Sequence, residues 1–117
     1  MRKTILAVAA VAAMFGGATQ AGALRGPQFD VKRAQANGSV TYSVQFVGGE
    51  PARIDLRGDG DTDLDLFVYD ENGNLVASDI GPTDRATVRW TPRWTGPFTI
   101  RVVNLGNVWN EYRIETN

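Results

Sequence analysis

The chain has 117 residues, 12 of them Lys or Arg and 13 Asp or Glu, for a net charge of −1, with no cysteine and no histidine. Without cysteine no disulfide can staple it, and without histidine the usual general base, zinc ligand and partner of a catalytic serine are missing. No basic stripe is visible along the chain, which argues against a nucleic-acid partner.

The chain opens "MRKTILAVAAVAAMFGGATQAGA". Arg2 and Lys3 precede an apolar run from Ile5 to Phe15, and small residues follow, ending in the small-x-small triplet Ala21 to Ala23. This order is that of a secretory signal peptide, and the run is shorter than the ~20 apolar residues a membrane span needs. Cleavage is expected after Ala23, with Ala21 as the alternative. Export to the periplasm or the medium follows, with no membrane attachment once the segment is removed. The expected organisation is a signal peptide over 1–23, an N-terminal segment over 24–38 and one domain over 39–117. The ten basic and thirteen acidic residues left beyond Ala23 give the mature chain a net charge of −3. A domain of this size buries roughly 60–65% of its unfolded surface, and without disulfides it needs a good core or another staple such as a metal ion.

Leu24 to Gly38 is polar and reads either as a short strand with a turn or as a tether. "VTYSVQFV" then alternates, with Val40, Tyr42, Val44 and Phe46 on one face. "ARIDLRG" does the same with Ala52, Ile54 and Leu56. In "GDGDTDLDLFVYDENGN" the apolar face is Leu64, Leu66 and Val68, and the Asn72-Gly73 pair signals a hairpin because both residues tolerate positive φ. "LVASD" is the return strand. "RATVRW" places Ala86, Val88 and Trp90 inward, "FTIRVVN" Phe98, Ile100 and Val102, and the closing "NEYRIETN" Tyr112 and Ile114. Seven or eight alternating strands with short turns and no helical period predict an all-β antiparallel sandwich or jelly roll.

The aspartates of the middle segment carry the chemistry. Side chains at i and i+2 of a strand lie about 6.6–6.8 Å apart on one face, so Asp61, Asp63 and Asp65 repel one another unless water, arginines or a cation intervene. Calcium takes six to eight oxygens at 2.3–2.6 Å, and neighbouring carboxylates can lean onto one ion. The expected ligand set is Asp63 and Asp65 with Asp59 or Asp61 from a curled "GDGDT" entry, completed by a backbone carbonyl or by Asp79 from the return strand. The curl is licensed by Gly58 and Gly60. An EF-hand loop starting at Asp59 is rejected, because its sixth position must be glycine and is Leu64. The competing reading is a solvated acidic edge neutralised across strands by Arg53, Arg57 or Arg101.

Among the aromatics, Trp90 is expected in the core. Phe67, Tyr69 and Trp109 fall on outward positions and Trp94 in a Pro/Gly loop, so these four form the weak binding candidates. The 24–38 segment is expected to cover the outer aromatics, and Trp94 to pack on one end of the sandwich.

"GDGDTDLDLFVYDENGNLV", followed by "WTGPFTIRVVN" and "NEYRIETN", resembles the bacterial pre-peptidase C-terminal domain family over roughly Ser39 to Thr116. The resemblance implies a jelly-roll-like β-sandwich of the kind appended to exported peptidases. Related modules in bacterial collagenases bind calcium and collagen, and calcium carries over to the matching aspartates, chiefly Asp63 and Asp65. Two departures stand out: these 117 residues hold no peptidase sequence, and Trp94 precedes the Thr95-Gly96 turn. The function expected is therefore an exported, non-enzymatic structural or binding module. Its alternative is a partner or inhibitor of a separately encoded exported peptidase. A small hydrolase working through paired carboxylates is the remaining class, and a domain this small leaves little room for a cleft beside its core.

Overall fold

The computed structural model describes residues 22–117. The alternating segments form eight strands: β1 (Phe29–Ala34), β2 (Ser39–Phe46), β3 (Ala52–Arg57), β4 (Leu64–Tyr69), β5 (Leu75–Asp79), β6 (Arg85–Trp90), β7 (Gly96–Asn104) and β8 (Asn110–Thr116). They pair antiparallel in two four-stranded sheets, β1-β8-β3-β6 and β2-β7-β4-β5. Only β4 and β5 are joined as a hairpin; every other connection crosses from one sheet to the other. This is the strand order of a jelly roll, as the alternation predicted.

Period two decides which side chains meet. Ile54 and Leu56 from one sheet face Leu64, Leu66, Val68, Ile100 and Val102 from the other, all buried. Phe46, Phe98 and Trp90 close one end of the core, with Phe46 and Trp90 edge to face at 4.8 Å. Tyr42 of β2 and Tyr112 of β8 join their hydroxyls at 2.7 Å across the two sheets, and the Tyr42 hydroxyl also donates to Asp30 at 3.0 Å. Burial, first among the causes, holds both hydroxyls above the ordinary phenol range, so this clamp stays neutral.

One expectation changes. The 24–38 segment does not lie over an outer face; its strand β1 adds to the edge of β8, from Phe29 opposite Glu115 to Ala34 opposite Asn110. Edge addition satisfies a row of backbone groups that a covering tether would leave to water. The hairpin expected at Asn72-Gly73 forms between β4 and β5. Gly73 is left-handed at φ 86° while Asn72 is not, because the Asp70 carboxylate accepts from the amides of Asn72 and Asn74. Those amide bonds, the Asn74 bond first, lower the affinity of Asp70 for a proton. Gly22 and Ala23, which cleavage after Ala23 would remove and cleavage after Ala21 would keep, pack on the sandwich. Ala23 is buried, its amide donates to the Asn117 carbonyl at 3.0 Å, and the Gly22 carbonyl accepts from Val47 at 2.9 Å. The first twenty-one residues of the expected signal peptide lie outside the described residues.

Alternating sheets send the loops to opposite ends. The β1–β2, β3–β4, β5–β6 and β7–β8 loops meet at one end, tied by Asn37 N–H to the Gly106 carbonyl, Gly58 N–H to Asp84 and Leu105 N–H to Asp63.

Candidate functional site

The loop end gathers the unusual chemistry. Its floor is a polar latch under "GDGDT". Asp84 and Asn110 are both buried. Asp84 Oδ2 accepts from the Gly60 amide and from Asn110 Nδ2, while Asn110 Oδ1 accepts from the Asp59 amide at 3.1 Å. Asp59 in turn accepts from the amides of Asp61 and Glu111. Gly60 takes φ 94°, the left-handed turn that lets the loop curl. A methyl group on Gly58 would strike Asp84 Oδ2 and Asn110 Oδ1, two side chains held on several sides. Gly58→Ala is therefore expected to cost about 2–3 kcal/mol in a urea titration, as overpacking does, whereas Gly49→Ala meets no atom and should show only backbone strain.

The candidate ligands, Asp63 and Asp65 with Asp59 or Asp61 and with Asp79 or a carbonyl, are divided by this scaffold. Asp59 is tied to the start of β8. Asp61 is exposed. Asp79 points from β5 toward β6, where its carboxylate accepts from Gly81 and from the edge amide of Thr87 at 3.0 Å. Asp63 and Asp65 do face each other at the entry to β4. Each keeps one oxygen buried without a donor, and Asp65 is only 8% exposed although it lies on the outer face of its sheet. Burial, then the charge of Asp63 and its contact, then Asp79, raise the Asp65 carboxyl above its ordinary value. Among the described residues no group of three acidic, histidine or cysteine side chains converges on one point. Asp63 and Asp65 thus offer a cation two carboxylates, and the rest of a calcium shell would fall to backbone carbonyls and water.

None of the arginines expected to neutralise this row does so. Arg53 pairs with Asp55 at 2.9 Å on its own strand. Arg101 lies opposite Phe67, and Asp65 lies opposite Val103. Arg57 belongs to the other sheet, opposite Arg85 of β6 and Arg113 of β8.

Beside the acidic entry stands an apolar loop. Leu105, Val108 and Trp109, between β7 and β8, are 52%, 48% and 42% exposed. Asn104, fully buried, builds this loop. Its Nδ2 donates to the carbonyls of Ala34, Gln35 and Val108, and its Oδ1 accepts from Gly106. Arg33 of β1 lies 4.0 Å from the centre of the Trp109 ring. Leu105 and Val108, with the residues that hold the loop, Asn104, Asn110 and Asp84, escaped the sequence reading. The only signal was polar residues at inward strand positions, such as Asn104 two places after Val102.

The other aromatic candidates do not join this surface. Phe67 and Tyr69 stack at 6.5 Å on the outer face of the β2-β7-β4-β5 sheet, half-buried. Trp94 sits at the opposite end of the sandwich beside Gly48 and Gly96. It is 43% exposed rather than packed, because the Pro92–Thr95 loop turns its ring outward over Gly96.

The fold is similar to several solved structures. One is PliG from Aeromonas hydrophila, a periplasmic inhibitor of g-type lysozyme: TM-score 0.58, 9% identity, 87% of this chain and 90% of that one. The pre-peptidase C-terminal domain of a Bacillus anthracis collagenase gives 0.56 at 14% identity, over 75% and 88% of the two chains. PliG from Salmonella Typhimurium gives 0.50 at 11% identity, over 78% and 89%. No family model matches the chain, and neither does any curated protein. At these identities the likeness establishes a fold of the pre-peptidase C-terminal kind and no more.

Proposed function

We propose that this chain is an exported, non-catalytic binding module whose partner is a protein docking on the loop end of the sandwich. The observation that carries the reading is the cluster of Leu105, Val108 and Trp109, exposed together beside an acidic rim. Contiguous exposed apolar groups with polar surroundings mark protein interaction sites, and aromatic anchors supply most of the energy at such sites. The fold is shared with two periplasmic inhibitors of g-type lysozyme and with a collagenase domain, which supports a protein partner. An exported peptidase or lysozyme is the first partner to test.

The experiment mixes the purified protein with a g-type lysozyme and, separately, with an exported peptidase, measuring both binding and enzyme activity. Binding that Trp109→Ala weakens at least tenfold supports the docking surface, since truncating an aromatic anchor costs about 2 kcal/mol or more. Stoichiometric loss of enzyme activity marks an inhibitor; binding without it marks a targeting module. Hydrolysis of either enzyme's substrates by the protein alone, abolished in Asp65→Asn, would instead make it an enzyme.

Asp63 and Asp65 are proposed to hold a calcium ion that steadies the entry to β4 at the rim of this surface. The two buried oxygens without donors support that reading, because a buried carboxylate pair needs a counter-charge or a proton. When bound, the ion would supply that counter-charge.

Signal cleavage is proposed after Ala21, with Gly22 as the first mature residue. Cutting after Ala23 would discard a buried methyl and the backbone bonds to Asn117 and Val47. Intact mass of the exported protein should match a chain starting at Gly22; a mass lower by the Gly22-Ala23 pair would refute this.

A further inference from the structure

The β1-β8-β3-β6 sheet has an outer face that the loop-end reading does not use. Cross-strand register brings Arg57 of β3 opposite Arg85 on one side and opposite Arg113 on the other. All three are exposed, and they line a groove of about 350 Å³ floored by Leu56 and Ala86. Like charges placed directly opposite in a sheet are destabilising. The acids around the groove do not relieve them all. Asp55 pairs with Arg53 at 2.9 Å and accepts from the Thr87 hydroxyl at 2.8 Å. Glu115 pairs with Arg113 at 2.8 Å, and Asp79 is occupied by the amides of Gly81 and Thr87. Arg57 and Arg85 form no ion pair among the described residues.

We infer that this groove is a second binding surface, built for an extended protein segment that carries a carboxylate two residues away from a basic side chain. Guanidinium groups grip carboxylates in a two-point fork, and adjacent forks on one face converge on the same oxygens. The neighbouring row sets the rest of the specificity. Asp55 and Glu115 lie opposite each other, two residues along their strands from Arg57 and Arg113. The face therefore alternates in sign with the i, i+2 spacing of an extended chain, about 6.6–6.8 Å. A uniform polyanion, whether nucleic acid or an acidic polysaccharide, would meet the Asp55–Glu115 row between two arginine rows, Arg57 with Arg85 and Arg113 on one side and Arg53 with Arg89 on the other. An acidic residue over the arginines, with a lysine two places on over the carboxylates, matches both rows. Phe29, whose ring lies 4.3 Å from the Arg113 guanidinium, extends the surface at the β1 edge.

The test is an amide chemical-shift titration of the whole exported protein at low salt with three short titrants: Thr-Glu-Thr-Lys-Thr, Thr-Glu-Thr-Glu-Thr and a heparin oligosaccharide. Expected are shifts centred on Arg57, Arg85 and Arg113 that saturate at lowest concentration with the Glu/Lys peptide. The Arg57→Gln/Arg85→Gln double variant should weaken that response at least tenfold. Arg57→Gln alone should raise the melting temperature of the free protein by about 2–4 °C, because it removes a like-charge contact. A purely structural arginine would lower it. No shifts at these positions, equal response in the double variant, tightest binding of the all-acidic peptide or of heparin, or a lowered melting temperature would each overturn the inference. The loop-end surface is tested at Trp109, so it stands or falls separately.

Discussion

Asn104→Ala is expected to destabilise the protein by about 3–5 kcal/mol and to lower its melting temperature by about 15 °C or more. The side chain is wholly buried and makes four hydrogen bonds, to the carbonyls of Ala34, Gln35 and Val108 and from the amide of Gly106. Alanine removes all four and leaves three carbonyls and one N–H without this partner. The Ala34 bond is buried and the other three are part-buried; each group orphaned where water cannot enter costs about 1–3 kcal/mol, so the sum is a large share of the ~5–15 kcal/mol that holds a domain together. Asn104→Asp is a sharper control. It keeps the acceptor for Gly106 but turns a carboxylate toward three carbonyl oxygens, so it should be no better than alanine. Asn72→Ala, on an exposed turn, should change stability by less than about 0.5 kcal/mol. Because Asn104 also shapes the Leu105–Trp109 loop, partner binding should fail in Asn104 variants even below their unfolding temperature. Chemical denaturation of the three variants, read by tryptophan fluorescence, decides the matter. A loss under 1 kcal/mol for Asn104→Ala would mean that water takes over these bonds.

Calcium at about a hundred times its dissociation constant is expected to stabilise the protein by about 2.7 kcal/mol, raising the melting temperature by ten degrees or more relative to chelator. The pH dependence reverses with it. In chelator the native Asp65 carboxyl binds its proton more tightly than in the unfolded chain, from burial first and then from Asp63 and Asp79. The native state then holds more protons across the window from the ordinary carboxylate value up to the raised one. Stability from this group is full below that window and is lost as pH rises through it. With calcium bound, the ionised pair is the favoured form and the loss should vanish. Asp65→Asn should flatten the chelator profile, abolish the calcium response and, at neutral pH without calcium, leave the protein no less stable than wild type. Identical melting curves in calcium and chelator for the unmutated chain would remove the ion from the account.

The sequence by itself determined the strands and their inward faces. Ile54, Leu56, Leu64, Leu66, Val68, Ile100 and Val102 could be named as core from alternation alone, since successive side chains of a strand point to opposite faces whatever sheet it joins. It also marked the curl at Gly58 and Gly60 and the carboxylate pair at Asp63 and Asp65, because both depend on neighbours within a few residues. What it could not supply was pairing between distant strands. That Arg57 meets Arg85 and Arg113, that Asp79 serves the edge of β6, that Asp84 and Asn110 hold the acidic loop from beneath, and that β1 pairs rather than covers all follow from the order β1-β8-β3-β6 beside β2-β7-β4-β5. Strand order is set by how the two hydrophobic faces close over one another, a property of the whole chain. An arginine row assembled from three strands therefore has no trace in any window of the sequence.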